Sequence, residues 1–118
     1  MAEHGWYWLE FVETLAFTRK LYSITDDRTF QAIQSQLVED PERWPIVPGT
    51  SGARKGRVGD PRSSRGKRGS FRYYYAYVPH RGRVYLLAIF SKGEASDLTP
   101  KQKKEVAKII AAIQKEGQ

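Results

Sequence analysis

Residues 71 to 78, Phe-Arg-Tyr-Tyr-Tyr-Ala-Tyr-Val, and residues 83 to 90, Arg-Val-Tyr-Leu-Leu-Ala-Ile-Phe, constrain this chain more than any other part of it. Both runs are built of aromatic and β-branched side chains and flank the tetrapeptide Pro79-His80-Arg81-Gly82, a pattern that predicts a β-hairpin. The second run is apolar at successive rather than alternate positions, so both of its faces need cover and it belongs inside the sheet. A hairpin with an interior second strand needs a further strand beside it and helices over it, and the rest of the chain has to supply them.

The flanks do so. Residues 6 to 12, Trp-Tyr-Trp-Leu-Glu-Phe-Val, read as a first strand and residues 13 to 22 as a short helix. Thr25 reads as the N-cap of a second helix, with Asp26 and Asp27 in its first turn, where negative charge suits the helix dipole. That helix runs to about Glu39, with Phe30, Ile33 and Leu37 at helical spacing as core positions and Pro41 closing it. Prolines, glycines and Trp44 make 41 to 52 an ordered loop. Residues 53 to 58 form a strand that turns Lys55 and Arg57 to one face and Gly56 to the other. The stretch from Gly59 to Gly69 reads as a mobile basic surface loop. Thr99-Pro100-Lys101-Gln102 combines an N-cap, a proline at the first helical position and a capping-box glutamine, and Val106, Ile109, Ile110 and Ile113 follow at helical spacing up to Gly117.

With 118 residues and no internal repeat, one core and one domain spanning 1 to 118 are expected. No apolar run approaches the roughly 20 residues that cross a bilayer, and the first residues lack the pattern of a signal peptide, so the expectation is a cytoplasmic protein without a membrane partner. Cysteine is absent, which excludes disulfides and a thiolate nucleophile, and two histidines, His4 and His80, do not make a metal site. Neither a metal nor another cofactor is expected.

Charge is distributed unevenly. Residues 1 to 48 carry four basic and eight acidic side chains, residues 49 to 92 eleven basic and Asp60 as their one acid, and residues 93 to 118 five basic and four acidic, giving −4, +10 and +1. A concentration of +10 repels itself, and a folded protein keeps that cost mainly where an anion offsets it. Arginine outnumbers lysine there, as bidentate phosphate recognition favours. Nine of the eleven are Arg54, Lys55 and Arg57 on one strand, Arg62, Arg65, Lys67 and Arg68 in the loop, Arg72 on the next strand and Lys92 after the last, and strand pairing would gather them. Tyr74 shares the strand face of Arg72, where a tyrosine beside cations stacks on a base or moves a proton. Tyr73, Tyr75 and Tyr77 read as sheet formers with their hydroxyls in water.

Three motifs give the pattern a family likeness: Pro48-Gly49-Thr50-Ser51-Gly52-Ala53-Arg54-Lys55-Gly56-Arg57, then Arg65-Gly66-Lys67-Arg68-Gly69-Ser70-Phe71-Arg72-Tyr73-Tyr74-Tyr75, then Ile89-Phe90-Ser91-Lys92-Gly93-Glu94-Ala95-Ser96-Asp97-Leu98-Thr99. Together they resemble the RelE/HigB toxins of bacterial type II toxin-antitoxin systems, the HigB branch most closely, over about Trp8 to Ile113. The resemblance implies an α+β fold, with two N-terminal helices and a C-terminal helix around a curved, mainly antiparallel sheet. It also implies a ribosome-dependent mRNA interferase, an endoribonuclease that cuts message during translation, with the mRNA, the ribosome and a cognate antitoxin as partners. By motif match Lys55, Arg57, Lys67, Arg72 and Lys92 stand where such toxins place catalytic or phosphate-binding cations, with Arg54, Arg62, Arg65, Arg68 and Tyr74 as further RNA contacts. Ser51 and Ser70 stand where glycine is usual, Ala53 replaces a larger apolar residue, and Phe90 sits where many relatives carry tyrosine and cannot transfer a proton.

The residues suit metal-independent cleavage, in which a ribose 2′-hydroxyl loses its proton and attacks the adjacent phosphorus while charge builds on the phosphoryl and leaving oxygens. Lys55 or Lys67, crowded by cations, is the candidate acid or base, and Arg57 and Arg72 the phosphate clamp. A non-catalytic protein that grips RNA or ribosome with the same patch is the alternative from another class. A gyrase inhibitor like the ParE toxins, which share the fold, is the third, and the phosphate-binding pattern argues against it.

Overall fold

A computed structural model describes residues 9–62 and 71–116. In chain order the elements are β1 (Glu10–Glu13), α1 (Leu15–Ile24), α2 (Asp27–Glu39), β2 (Arg54–Val58), β3 (Phe71–Val78), β4 (Arg83–Ser91) and α3 (Pro100–Lys115). The strands form one mixed sheet in the order β1-β4-β3-β2, antiparallel except for the parallel pairing of β1 with β4. The fold is therefore α+β, with two helices before the hairpin and one after it.

The hairpin sets the architecture, as its sequence requires. Pro79–Arg81 make a single 3₁₀ turn, and Gly82 at φ 60° takes the left-handed conformation that closes it. β4 lies inside the sheet between β1 and β3. Its run of apolar residues contains a bulge: Tyr74 pairs with Ala88 but Tyr75 with Leu86, so Leu87 is an extra residue. A bulge bends its strand and reverses the alternation of faces, which is why Val84, Leu86 and Ile89 all reach the same core.

That core lies on one face of the sheet, where Phe17 and Leu21 of α1 and Ile33 and Leu37 of α2 meet Tyr73, Tyr75 and Leu86, all with no exposed surface. On the other face Ile110 and Ile113 of α3 pack on Ala53, Ala76, Val78 and Tyr85. Those partners lie toward the hairpin turn, so α3 covers that half of the face. The far half, where Arg57, Arg72 and Phe90 lie, is left to other groups.

Element ends differ from expectation in instructive ways. β1 begins at Glu10, and the expected residues 6 to 8 lie outside the described chain. α1 starts later, at Leu15, because the Thr14 hydroxyl caps it by accepting from Phe17 N at 3.1 Å. Thr25 does not cap α2. Two residues separate the helices, so Thr25 closes α1 through its N–H to Leu21, while its buried hydroxyl meets that of Thr29 at 2.6 Å. Asp26 caps instead, its carboxylate accepting from Arg28 N at 3.0 Å. At α3 both halves of the expected capping box are present, Gln102 N to Thr99 Oγ1 at 3.1 Å and Thr99 N to Gln102 Oε1 at 2.9 Å. Gly117, the expected stop, lies outside the described residues, and the helix ends at Lys115. No helix among the described residues is long and apolar enough to cross a membrane.

Candidate nucleic-acid interface

Pairing of β2 with β3 does what the alternation of β2 predicts. Lys55 pairs with Tyr74 and Arg57 with Arg72, while Gly56 faces Tyr73 on the core side. Across the next ladder Arg72 pairs with Phe90 and Tyr74 with Ala88. Two rows therefore cross the half of the sheet beyond α3, Arg57–Arg72–Phe90 and Lys55–Tyr74–Ala88. Trp44, Pro45, Lys55, Arg57 and Arg72 line a depression of about 390 Å³.

Like charges directly opposite each other weaken a sheet. The Arg57–Arg72 pair is such a cost, incurred beside a third cation. Part of it is offset locally, since the Arg57 guanidinium lies 5.7 Å from the Trp44 ring centroid, a cation–π distance. Trp44 is fixed in turn, its indole N–H donating to the Tyr73 hydroxyl at 3.1 Å and that hydroxyl to Gln36 Oε1 at 2.6 Å. Gly56 makes room for this arrangement, because a Cβ there would stand 2.6 Å from Tyr73 Cζ and 2.8 Å from the Trp44 ring.

The tyrosines behave differently from expectation. Tyr73 and Tyr75 have no exposed surface, and the Tyr75 hydroxyl donates to the Pro41 carbonyl at 2.7 Å, so these hydroxyls are interior hydrogen-bonding groups rather than solvated ones. Burial raises the pKa of both, Tyr75 to about 12. Tyr74 is 2% exposed and has no open ring face for a base. Its hydroxyl donates to the Ser96 carbonyl at 2.6 Å, and its ring meets Phe90 edge-on at 6.1 Å. Burial raises its pKa against the opposing effect of the Lys55 ammonium, which lies 5.6 Å from the ring centroid. Tyr74 is thus the floor of the site and not a stacking platform.

Lys55 also reaches Asp97, Nζ to Oδ1 at 2.8 Å, and this ion pair holds the Asp97 carboxyl below the usual range. Asp97 lies in the connection between β4 and α3.

Of the other expected contacts, Arg54 and Arg62 do not join the depression. Arg54 donates to the carbonyls of Glu42 at 3.0 Å and Trp44 at 2.7 Å, fastening the loop that carries Trp44. Arg62 bonds Asp60 and the Ile24 carbonyl at the α1–α2 junction. Both were legible as cations, but a guanidinium satisfied by backbone carbonyls holds a loop. Lys92 is exposed in the turn after β4 and does not line the depression. Arg65, Lys67 and Arg68 lie outside the described residues.

Three site residues were not singled out as contacts in the sequence: Trp44, Asp97 and Lys20. A tryptophan in a proline-rich loop immediately before a basic strand was a usable signal for the first. Nothing local marks the others. Lys20, on α1, places its Nζ 5.0 Å from the Phe90 ring centroid. His80 sits in the exposed hairpin turn, and among the described residues no group of three His, Cys, Asp or Glu could hold a metal ion. The chain matches no family model.

Proposed function

We propose that this protein is a ribosome-dependent mRNA interferase, the toxin of a type II toxin-antitoxin pair, acting in the cytoplasm where translation occurs. The observation that carries the reading is the cross-strand pairing of Arg57 with Arg72 beside Lys55 around one depression. Guanidiniums set opposite each other repel, and a phosphodiester between them offsets that repulsion.

In this reading the two guanidiniums hold the phosphoryl oxygens, where planar bidentate donors are most effective. The ribose 2′-oxygen gives its proton to solvent water and bonds to phosphorus, the bond from phosphorus to the 5′-oxygen breaks, and Lys55 donates a proton to that leaving oxygen and is reprotonated from solvent. The products are a 2′,3′-cyclic phosphate and a 5′-hydroxyl end. Phe90 moves no proton, and the Tyr74 hydroxyl is committed to the Ser96 carbonyl. Much of the rate must then come from orientation of the message, which the ribosome supplies, so RNA off the ribosome is a poor substrate. A cognate antitoxin is expected to neutralise the same basic face.

One observation favours a second reading. Among the described residues Lys55 is the sole side chain lining the depression that is suited to exchange a proton, which suits a protein that grips RNA or ribosome without cutting it. A translation extract with mapped mRNA ends separates the two. New message ends with the wild-type protein, abolished by Lys55→Ala combined with Arg72→Ala, support the interferase. Inhibition of translation without new ends establishes the binding protein, and undiminished cleavage by the double variant refutes the site.

A further inference from the structure

β1 ends beside Leu86 whereas β4 continues to Ser91, so the outer edge of β4 beyond Leu86 has no partner strand among the described residues. α1 packs along β4 instead. The consequence is that Lys20, from an element on the other face of the sheet, comes round the edge and ends over the Phe90 ring at 5.0 Å. Phe90 is directly opposite Arg72, and Arg72 opposite Arg57. Lys20 therefore extends the row Arg57–Arg72–Phe90 into a track that crosses the sheet at right angles to its strands. With strands spaced about 4.8 Å apart, the track covers about 10 Å from β2 to β4 before Lys20 adds its own reach. A partly exposed aromatic ring between cations is the combination that binds single-stranded nucleic acid without reading its sequence.

The connection between β4 and α3 adds an independent observation. It bonds both lysines at the ends of this face, Glu94 to Lys20 at 2.9 Å and Asp97 to Lys55 at 2.8 Å. Between these ion pairs the Tyr74 hydroxyl holds the Ser96 carbonyl. Glu94 is anchored further by accepting from Ser91 N at 2.7 Å. Both lysines thus have a carboxylate standing where an oxyanion of a substrate would stand.

We propose that Lys20 and Phe90 form a second nucleotide subsite, in which the Phe90 ring carries a base and Lys20 the adjoining phosphate, with Glu94 as the resting counter-ion that the phosphate displaces. This rests on the RNA reading above and adds the path of the strand, across the sheet from Lys55 and Arg57 to Lys20. It replaces Tyr74 as the stacking residue with its partly exposed neighbour Phe90.

Binding of a short fluorescent 2′-O-methyl oligouridylate, which cannot be cleaved, is measured with the full chain over a range of salt concentrations. For a single strand, the slope of log affinity against log salt falls by about 0.7 for every phosphate that the protein no longer neutralises. Lys20→Ala is expected to lower it by that amount and Lys20→Arg to restore it. Phe90→Leu is expected to weaken binding about tenfold with the slope unchanged, as removal of one stacked base does. Glu94→Gln is expected to tighten binding at low salt. A damaged fold cannot give that opposite sign. If Arg72→Ala lowers the slope and Lys20→Ala does not, or if Glu94→Gln weakens binding, the subsite is refuted while the RNA reading stands. If the wild-type protein shows no salt-dependent binding, both fall.

Discussion

Substituting alanine for Gly56 tests the packing on which the site depends. Gly56 lies between Lys55 and Arg57, and its Cβ would fall 2.6 Å from Tyr73 Cζ and 2.8 Å from Trp44 Cδ1 and Nε1. Carbon atoms at rest are about 3.5 to 4.0 Å apart, so each ring must retreat by about 1 Å. Neither can do so cheaply. Tyr73 has no exposed surface and its hydroxyl is bonded on both sides, to Trp44 and to Gln36. Overpacking costs about 1 to 3 kcal/mol, and breaking one of those hydrogen bonds adds about 1 kcal/mol. Alanine recovers about 0.5 to 1 kcal/mol of backbone entropy. The net expectation is destabilisation by about 2 kcal/mol, read as a shift in the urea midpoint at constant slope. Because Trp44 is one of the two obstructing groups, Trp44→Ala is expected to cost at least about 1 kcal/mol less in the Gly56→Ala background than in wild type. A Gly56→Ala protein within about 0.5 kcal/mol of wild type, or strictly additive effects, would falsify the reasoning.

Three further outcomes follow from single features. Ser51 has φ 63°, a left-handed conformation that costs a non-glycine residue about 1 to 2 kcal/mol, so Ser51→Gly is expected to raise stability by up to about 1 kcal/mol after the entropy of the added glycine is deducted; an unchanged or lower melting temperature counts against it. Arg54→Ala is expected to cost about 2 kcal/mol, since it strips charge-assisted donors from two loop carbonyls, while leaving the salt slope of RNA binding unchanged; a lower slope would return Arg54 to the phosphate contacts. Tyr75 titrates near 12 in the fold against about 10 in the unfolded chain, so its neutral form is favoured by folding. Its contribution is complete below pH ~10 and is lost as pH rises toward ~12, and Tyr75→Phe is expected to flatten the fall in stability over that window.

What the chain's order of residues determined is local. The hairpin, the interior position of β4, the amphipathic spacing of α2 and α3 and the capping box at Thr99 depend on neighbours within a few positions, where propensity and periodicity act. The placing of Lys55 and Arg57 on one face of β2 and Gly56 on the other was legible for the same reason, because strand alternation is a property of the backbone.

Tertiary structure decided which polar groups face inward and which distant ones meet. Tyr73, Tyr74 and Tyr75 are alike as sequence, yet all three hydroxyls have partners supplied from elsewhere: Gln36 and Trp44, the Ser96 carbonyl and the Pro41 carbonyl. Arg54 and Arg57 differ by three positions and in charge not at all, but one is fixed by loop carbonyls and the other faces the depression because alternation put them on opposite sides. Lys20 joined the basic face because β1 stops short of the end of β4, leaving an edge that a helix fills. Such contacts depend on register and on where an element ends, and no window of sequence contains both partners.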